Sequence, residues 1–544
     1  FDALTSAKPG SPRLHTWEDG GWSGAEWDDV VRDSFRLAAG LRELGVERGS
    51  HVASVITNTA SSVRGLLATW LAGATVASLP VPARGMDLDQ YGAQLGRICS
   101  GLDSPVFLAS APVADVMPAT LREAVGVHAW ESLPGGRAVI EPDFPDDDDV
   151  AFVQYSSGST DAPKGCMLTA RAIAEQIEII FGLLEAWPGE RVRISSWLPL
   201  SHDMGMFGCM LMPWAAGFEL YLSSPERFLG KPRSFLTDLA DLRADFTAVP
   251  SSGLDLSLRA FGSRRVPGDL SALRSIVIGG ERIEWRTLET ARQQLAPCGY
   301  DPRVPQPAYG LAEATLAVTA VPRAEAPAMI SLDSTLLADS RVEELEPGHP
   351  HATPVVSCGR ALRGCRVETV GDTSLASVRV ASPSLAAGYQ GDRAATDARF
   401  RDDGWLETND LGFVRDGYLY VVGRSDDVIT VGGRNVYATE IEAAVAALDP
   451  IRPGCCTIVE DPDSARSRLV LLVELRNGDT DASAVAEEAG RISTRKAGIT
   501  ISECIVLARG TMPKTPSGKV QRFRCRQLLS DGDLEAVARV PLRA

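Results

Sequence analysis

The sequence predicts an α/β fold in which a large N-terminal domain, built from parallel-sheet layers and a small β-subdomain, precedes a small α+β C-terminal domain. The first observation is length, because 544 residues are too many for one hydrophobic core. The second is a repeated alternation of short apolar runs with helical periodicity across residues 51–278. The third is a change near residue 355, where short β-like segments separated by Gly and Asp turns begin.

The N-terminal elements alternate between helix and strand. Residues 25–47 place apolar side chains at helical spacing and end at Gly45, as an amphipathic helix with a glycine stop does. Further helices are predicted at 62–71 and 170–184. Strands are predicted at 51–56, 75–79, 105–109, 150–154, 192–198, 218–222, 246–249 and 275–278. This alternation implies parallel sheets with helices on both faces.

The last part of the chain contains two different units. Short strands are predicted at 366–370, 377–381, 412–414 and 418–422. After them a compact α/β unit is predicted, with helices at 439–448 and 482–496 and strands at 468–475 and 499–507. The predicted division is an N-terminal domain of residues 1–423, a connecting segment of residues 424–427 and a C-terminal domain of residues 428–544.

Composition excludes some classes of partner. Asp and Glu total 71 against 54 Lys and Arg, which gives a formal charge of -17 and argues against nucleic acid or an anionic membrane as the main partner. We find no uncharged apolar run of membrane-spanning length and no signal-peptide pattern, so no membrane span is expected. The 10 cysteines show neither CxxC pairs nor Cys/His metal spacing, which favours buried reduced thiols in a cytoplasmic protein.

A polar loop at residues 155–165 follows the apolar run 150–154. It contains four hydroxyl side chains, one glycine and one lysine, namely Ser156, Ser157, Ser159, Thr160, Gly158 and Lys164. Glycine lets backbone N–H groups converge, hydroxyls donate hydrogen bonds and lysine adds a positive charge, so the loop would suit a polyphosphate. Its spacing is not the Walker pattern. Taken alone, a solvated Ser/Gly turn is the alternative.

Six stretches in order carry a family resemblance. After the loop come Trp-Leu-Pro-Leu-Ser-His-Asp-Met-Gly at 197–205, Tyr-Gly-Leu-Ala-Glu-Ala-Thr at 309–315, Thr-Asn-Asp-Leu-Gly at 408–412, Gly-Arg-Ser-Asp-Asp at 423–427 followed by Gly-Arg-Asn at 433–435, and Pro-Ser-Gly-Lys at 516–519. Their order and spacing resemble the adenylate-forming superfamily. The second and third stretches, with the long segment 321–354, resemble its fatty acyl-AMP ligase branch.

The resemblance implies a fold and a reaction. Such enzymes have two α/β sheet layers and a β-subdomain in the large domain, and a mobile C-terminal domain. A carboxylic acid attacks the α-phosphate of ATP, pyrophosphate leaves, and Mg²⁺ assists. The acyl group of the acyl-AMP would then pass to the phosphopantetheine thiol of an acyl carrier protein. CoA, as in an acyl-CoA or aryl-CoA ligase, and an amine are alternative acceptors.

The resemblance also assigns a nucleotide site. The loop 156–164 would hold the β- and γ-phosphates. The remaining nucleotide contacts would come from Gly279, Gly280 and Glu281 at the adenine edge, Tyr309 and Gly310 against adenine, and Asp410 and Arg424 at the ribose. A core tyrosine is the alternative for Tyr309, and a turn aspartate is the alternative for Asp410.

Catalytic and pocket roles follow in the same way. Glu313 would hold the magnesium ion and Lys519 would stabilise the reacting phosphate and carboxylate, with a surface glutamate and a solvated lysine as alternatives. Asp426 matches the hinge about which the small domain rotates. The acyl pocket would be bordered by Trp197, Ser201 and His202, and His202 is also a catalytic candidate, with a structural histidine as its alternative.

The chain departs from the family pattern at several positions. Asp161 and Asn409 stand where glycine is common, and Ser201 stands where tyrosine is common. Asp426 replaces a lysine of the fatty acyl-AMP ligase branch and resembles an acyl-CoA synthetase hinge. These changes leave the acid, fatty or aryl, and the acceptor open. A non-catalytic adenylate or acyl sensor is a different class, against which the intact Lys519, Glu313 and Asp410 count.

The role of Lys519 gives the first prediction. Lys519→Ala should lower the rate of acyl-AMP formation by a factor on the order of 100 to 1,000, because one preorganised charge on the transition state is lost. ATP binding should persist, since other residues hold the nucleotide. Unchanged acyl-AMP formation in a pyrophosphate-release assay would show that Lys519 is a solvated surface lysine.

Overall fold

The computed structural model describes most of the chain. The described residues are 1–6, 12–81, 88–102, 106–133, 141–155, 164–186, 190–262, 264, 266, 268–337, 339–371, 374–425, 428–431, 434–461, 468–477, 480–497, 501–514 and 520–542.

The strands of the described residues are β1 (Arg13–Glu18), β2 (Gly21–Glu26), β3 (His51–Val55), β4 (Thr75–Ser78), β5 (Val106–Ala109), β6 (Gly126–Ala129), β7 (Val150–Tyr155), β8 (Gly165–Thr169), β9 (Arg193–Ser196), β10 (Glu219–Leu222), β11 (Phe246–Val249), β12 (Ser275–Ile278), β13 (Pro305–Gly310), β14 (Ala317–Ala320), β15 (Met329–Asp333), β16 (Ala352–Val356), β17 (Arg360–Ala361), β18 (Arg366–Val370), β19 (Ala376–Ala381), β20 (Leu406–Arg415), β21 (Tyr418–Arg424), β22 (Val428–Val431), β23 (Arg434–Tyr437), β24 (Ile451–Asp461), β25 (Arg468–Leu475), β26 (Glu503–Leu507) and β27 (Ala536–Pro541).

The α-helices of the same residues are α1 (Asp2–Thr5), α2 (Trp27–Glu43), α3 (Ala60–Leu71), α4 (Leu88–Leu102), α5 (Ala111–Asp115), α6 (Ala119–Ala124), α7 (Ala170–Leu184), α8 (Met212–Ala216), α9 (Pro225–Gly230), α10 (Ser234–Asp241), α11 (Ser251–Phe261), α12 (Trp285–Leu295), α13 (Ser334–Leu337), α14 (Arg393–Arg399), α15 (Ala438–Ala446), α16 (Ala482–Ala497) and α17 (Arg522–Asp531). A π-helical segment, Met204–Leu211, precedes α8.

Two large sheets confirm the predicted α/β layers. One has the order β6-β5-β3-β4-β7-β8, and all its pairs are parallel except β7 with β8. The other has the order β17-β14-β13-β12-β11-β9-β10-β1-β2, with a parallel centre from β13 to β1 and antiparallel edges. The carboxyl ends of parallel strands share one edge of a sheet, and ligand crevices form there.

A shared core joins the two large sheets. Phe152 of β7 and Ile194 of β9 belong to the same buried cluster as Phe207. The Phe152 and Phe207 rings meet edge to face with centroids 5.4 Å apart. Trp70 of α3 is fully buried and its Nε1 donates to the Ala151 carbonyl at 2.8 Å. Such buried aromatic contacts fix the two sheets relative to each other.

The smaller sheets also follow the prediction. Strands β18 to β21 form an antiparallel sheet in chain order, which is the predicted β-subdomain. The later α/β unit contains the sheet β24-β25-β26-β27, in which only β25 and β26 are parallel, and the ribbon β22-β23. The segment around 321–354 forms the ribbon β15-β16 with α13.

The sequence pattern missed several elements. Residues 25 and 26 belong to β2, so the helix begins at Trp27 and not at residue 25. The β1-β2 hairpin contains an edge-to-face pair of Trp17 and Trp22. Its strands were not predicted because their sequence lacks a strict alternation of apolar and polar residues. Pro453 and Gly454 interrupt the apolar pattern of β24, where the pairing register shifts. The helix α17 and the strand β27 were also not predicted.

All ten cysteines are buried and none is in a disulfide, as the spacing predicts. No helix among the described residues is both long and apolar enough to cross a membrane.

One buried charge stabilises the C-terminal sheet. Glu474 of β25 is fully buried and lies 2.6 Å from the Arg452 guanidinium. Its carboxylate also accepts the backbone N–H groups of Met512 at 2.7 Å and Gly510 at 3.1 Å. Burial alone would raise the pKa of Glu474, but these donors lower it below its ordinary value. The stabilisation is therefore present above the ordinary pKa of 4.5 and is lost as the pH falls through the lower folded-state value.

Glu474→Gln should lower the free energy of opening of the β25 amides by about 2 kcal/mol at pH 7, because hydrogen bonds to a charged group are replaced by weaker neutral ones. Native-state hydrogen exchange measures this opening. The difference from wild type should shrink as the pH falls below 4.5. Glu488→Gln is the matched control, since its pair with Arg491 is exposed. Equal effects of the two substitutions would contradict the assignment.

Candidate active site

One large cavity, with a volume of about 760 Å³, lies at the carboxyl edges of the two large sheets and extends to the C-terminal unit. Residues after β7, β9, β12 and β13 line it, together with the β20-β21 hairpin. Eleven of the predicted site residues line this cavity: Lys164, Ser201, His202, Gly279, Gly280, Glu281, Tyr309, Gly310, Glu313, Asp410 and Arg424. From the C-terminal unit come Glu442, Gly454, Cys456, Thr457, Val520 and Arg522.

Asp410 is held by one tyrosine and one arginine. It stands directly opposite Arg424 in the β20-β21 ladder, and Arg424 Nε lies 3.5 Å from Asp410 Oδ1. The Tyr309 hydroxyl donates to Asp410 Oδ2 at 2.5 Å. Burial raises the pKa of Asp410 above its ordinary value, although Arg424 and Tyr309 oppose the shift. Burial and the Asp410 carboxylate raise the pKa of Tyr309, so its hydroxyl remains a donor.

Glu313 is held in the same way. It lies in the short 3₁₀ turn Ala312–Ala314 that follows β13. Its Oε1 accepts hydrogen bonds from the Tyr389 hydroxyl and from Arg399 Nη1, both at 2.7 Å. Burial and the Glu313 carboxylate raise the pKa of Tyr389, which keeps its proton for this bond. A Cβ at Gly310 would lie 1.8 Å from the Leu316 carbonyl, so only glycine allows this tight turn.

Lys164, the residue before β8, lies beside the Glu313 cluster. Its Nζ lies 5.1 Å from the centroid of the Tyr389 ring, within the range of a cation–π contact. This part of the cavity wall therefore places two cations, Lys164 and Arg399, close to the Glu313 carboxylate. An arrangement of this kind suits an anionic group with several oxygens.

The turn after β12 brings backbone close to the cavity. Gly280 has φ +76°, which favours glycine, and a Cβ at Gly279 would lie 3.0 Å from the Ala308 carbonyl. Glu281 Oε1 accepts the backbone N–H of Ser252 at 2.5 Å. The His202 ring lies beside Gly280, and a Cβ there would be 3.9 Å from its Cε1.

His202 lies two residues before the π-helical segment Met204–Leu211. Its Nδ1 lies 2.6 Å from Asp203 Oδ1, and its carbonyl accepts the Met206 N–H at 2.8 Å. A Cβ at Gly205 would lie 2.2 Å from the Pro199 carbonyl, which explains the glycine of this motif. π-Helical turns frequently occur at functional sites.

An apolar arm extends from the polar wall into the protein. It is lined by Ile180, Leu183 and Leu184 of α7, Ile194 of β9, Phe246 of β11, Val277 of β12 and Leu316. All of these side chains except Leu183 belong to the buried cluster shared by the two large sheets or pack against it. The cavity thus combines a charged end with a hydrocarbon-like end.

Trp197 does not line the cavity, contrary to the prediction that it borders the acyl pocket. Its ring is stacked on Phe228 with centroids 3.7 Å apart, and Phe235 contacts both rings. Aromatic stacking therefore draws Trp197 into the core, as an apolar residue in a motif often is. The predicted residues Ser156, Ser157, Gly158, Ser159, Thr160, Asp426 and Lys519 lie outside the described residues.

Arg399 and Tyr389 are site residues that the sequence reasoning missed. They lie 86 and 76 residues from Glu313, outside the six motifs. Neither carries a local signal, because each acts through a tertiary contact. Their contacts with Glu313 depend on the tertiary fold, which the sequence of a single chain does not reveal.

The described residues hold no group of three His, Cys, Asp or Glu side chains fit to bind a metal. The Glu313 carboxylate still fits Mg²⁺, because this ion commonly takes only one or two protein carboxylates and completes its shell with phosphate oxygens and water.

Comparisons with known proteins agree with this geometry. The sequence pattern of the AMP-binding enzyme family matches residues 6–389. The medium-chain-fatty-acid–acyl-carrier-protein ligase JamA of Moorena producens is 30% identical over 418 residues, covering 73% of this chain and 70% of JamA. The long-chain-fatty-acid–AMP ligase FadD32 of Mycolicibacterium smegmatis is 28% identical over 451 residues, covering 73% and 71%.

A solved structure has the same fold. It comes from work on the fatty acyl-adenylate ligases of E. coli and L. pneumophila and superimposes with a TM-score of 0.89. The match covers 98% of this chain and 97% of the other at 24% identity. With the family pattern matched over more than half of its length, the chain belongs to the AMP-binding enzymes of the adenylate-forming superfamily, as its six motifs predict.

Proposed function

We propose that the protein activates a fatty acid with ATP as acyl-AMP, releases pyrophosphate, and transfers the acyl group to the phosphopantetheine thiol of an acyl carrier protein. The observation that carries this proposal is that the charged wall of Asp410, Glu313 and Lys164 and an apolar arm belong to one cavity. A nucleotide triphosphate fits the first part and an alkyl chain fits the second.

The nucleotide would lie against β13 and the β20-β21 hairpin. Asp410 offers carboxylate oxygens to the two ribose hydroxyls, and Arg424 lies beside it. Gly279 and Gly280 let backbone approach the adenine edge, and Tyr309 would pack near the base. Since the Tyr309 hydroxyl already donates to Asp410, the same contact fixes the base and ribose positions relative to each other.

The phosphates would lie near Lys164, with the loop 156–160 as the predicted partner. Glu313 would hold Mg²⁺, which neutralises developing charge on phosphate oxygens when bound. Little covalent chemistry falls to the side chains of the protein. Their role is to position the acid and the α-phosphate and to keep water from the reaction. Lys519 remains the proposed transition-state cation, and Val520 and Arg522, which follow it in sequence, line the cavity.

The carboxylate would sit at the start of the apolar arm. His202 and Ser201 line the cavity between the nucleotide wall and the arm. The arm itself offers aliphatic and aromatic contacts from Ile180, Leu184 and Phe246, which match an alkyl chain and not a charged side chain. The relatives JamA and FadD32 are named for medium-chain and long-chain fatty acids, respectively, which supports this class.

The segment 321–354 supports a carrier protein as acceptor. Leu332 and Leu337 of this segment share a buried cluster with Tyr420 and Val422 of β21, the strand that leads to the predicted hinge. The helix α13 also lies against α16 of the C-terminal unit. A segment attached on both sides of the hinge would restrict rotation of the C-terminal unit. The relative JamA, which is named as a ligase for an acyl carrier protein, also supports this acceptor.

The acceptor is tested with purified enzyme, ATP, Mg²⁺ and a panel of fatty, aryl and amino acids. We expect pyrophosphate release with fatty acids, and faster acyl transfer to holo carrier protein than to CoA, measured by mass spectrometry. Apo carrier protein, which lacks the thiol, is the control. Transfer to CoA as fast as to the carrier protein would contradict the proposed acceptor, and activation of aryl acids alone would contradict the proposed substrate.

The Tyr309–Asp410 contact predicts a pH dependence of ATP binding. The pKa of Asp410 is raised, so its carboxylate becomes protonated on the acid side and loses an acceptor for the ribose. KM for ATP should therefore rise as the pH falls. Tyr309→Phe removes a bond that favours the ionised carboxyl, so it should move this rise to higher pH and increase KM by about 10-fold.

Steady-state kinetics over a pH series measure this effect. Tyr418→Phe is the matched control, because the Tyr418 hydroxyl donates to Glu325 at 2.6 Å away from the cavity. A pH profile of Tyr309→Phe that superimposes on the wild-type profile would contradict the proposed role of Asp410 in ATP binding.

A further inference from the structure

A second cleft, with a volume of about 550 Å³, adjoins the main cavity. Lys164, Arg399 and Asn409 line both volumes, so the two meet at these residues. The rest of the cleft is lined by Val370, Ser377, Ala395, Ala398, Arg401 and Glu407. The cleft therefore approaches the phosphate side of the main cavity and lies away from the apolar arm.

The charge of the cleft favours an anion. Three cations, Lys164, Arg399 and Arg401, line it against one carboxylate, Glu407, which leaves two net positive charges. The pair of Arg401 and Glu407 is loose, with Nε and Oε1 3.7 Å apart and the arginine half exposed. Lysine and arginine in a partly enclosed wall bind phosphate oxygens through charge-assisted hydrogen bonds.

Arg399 is one of the three residues at the junction of the cleft and the main cavity. Its Nη1 donates to Glu313 at 2.7 Å and to the Tyr389 hydroxyl at 2.7 Å, and its Nε donates to the Glu407 carbonyl at 2.8 Å. Its Nη2 is buried and has no hydrogen-bond partner within the part of the chain that the structure describes. A buried guanidinium N–H without an acceptor is costly, so a small movement of the side chain that brought this atom to a ligand oxygen in the cleft would relieve the cost.

We propose that this cleft binds pyrophosphate as it leaves the main cavity, and that Arg399 both binds it and positions Glu313. The inference rests on the proposed function, in which a carboxylate oxygen bonds to the α-phosphorus of ATP while the α–β phosphoanhydride bond breaks. The electron pair of that bond leaves with the pyrophosphate, which then carries more negative charge than any other product. The cationic junction is adjacent to where this anion forms, and its departure by the cleft leaves the acyl-AMP in place.

The shared pairing gives Arg399 a second effect. Glu313 accepts from Arg399 through one oxygen, so the guanidinium fixes the direction of that carboxylate and offsets its charge toward an incoming polyanion. Lysine at this position would keep a charge but not the planar fork that reaches Glu313, Glu407 and a ligand together.

Isothermal titration of inorganic pyrophosphate and of AMP, without any carboxylic acid, tests the cleft. Arg399→Gln should weaken pyrophosphate binding roughly 10- to 100-fold, the range of a lost hydrogen bond to a charged group. AMP binding should change far less, because the nucleotide contacts are elsewhere. Arg401→Gln should weaken pyrophosphate binding by a smaller factor. Arg393→Gln, at the exposed start of the same helix, is the control and should have no effect.

Arg399→Lys is a second variant, which keeps the test possible if Arg399→Gln does not fold. It should bind pyrophosphate with an affinity between those of the wild type and Arg399→Gln. Unchanged pyrophosphate affinity in both Arg399 variants would overturn the proposal. Equal weakening of AMP and pyrophosphate would also overturn it, since that pattern indicates a general structural role. If no acid yields acyl-AMP while pyrophosphate binding still depends on Arg399, the proposed function fails and the cleft stands. If acyl-AMP forms while pyrophosphate affinity is independent of Arg399, the cleft alone fails.

Discussion

Two carboxylates that face one partly enclosed cavity, Asp410 and Glu313, set the main physical constraint on this protein. A buried carboxylate is costly unless it is paired and hydrogen-bonded. Each is held by one tyrosine and one arginine: Tyr309 and Arg424 at Asp410, and Tyr389 and Arg399 at Glu313. Both therefore have charged and hydroxyl partners at the wall where a nucleotide would bind.

The surrounding strands and turns position Asp410, Glu313 and their partners. The β20-β21 register places Asp410 opposite Arg424, and the tight turn after β13 requires Gly310 so that Glu313 can face inward. The end of β7 in one large sheet and the ends of β9 and β12 in the other all line the cavity, and its apolar arm lies beside α7. An acid and a nucleotide would then meet where the charged and apolar walls join.

Local patterns predicted much of this fold. Apolar runs located β11 and β12 at their observed bounds, and periodicity located α7. Motif order located the residues that line the cavity, including Glu313 and Asp410. Tertiary pairing was beyond such reasoning: Arg399 and Tyr389 contact Glu313 across long separations, and stacking on Phe228 takes Trp197 away from the cavity. The roles proposed for Asp426, Lys519 and the loop 156–160 rest on the motifs alone.

The central claim is that this cavity lets a carboxylate attack the α-phosphate of ATP. It is tested most directly with a fatty acid whose carboxyl oxygens are ¹⁸O-labelled, followed by mass spectrometry of the AMP formed after acyl transfer. Attack at the α-phosphorus predicts one ¹⁸O atom in AMP and none in pyrophosphate. Unlabelled AMP, or label in the pyrophosphate or phosphate product, would contradict the account.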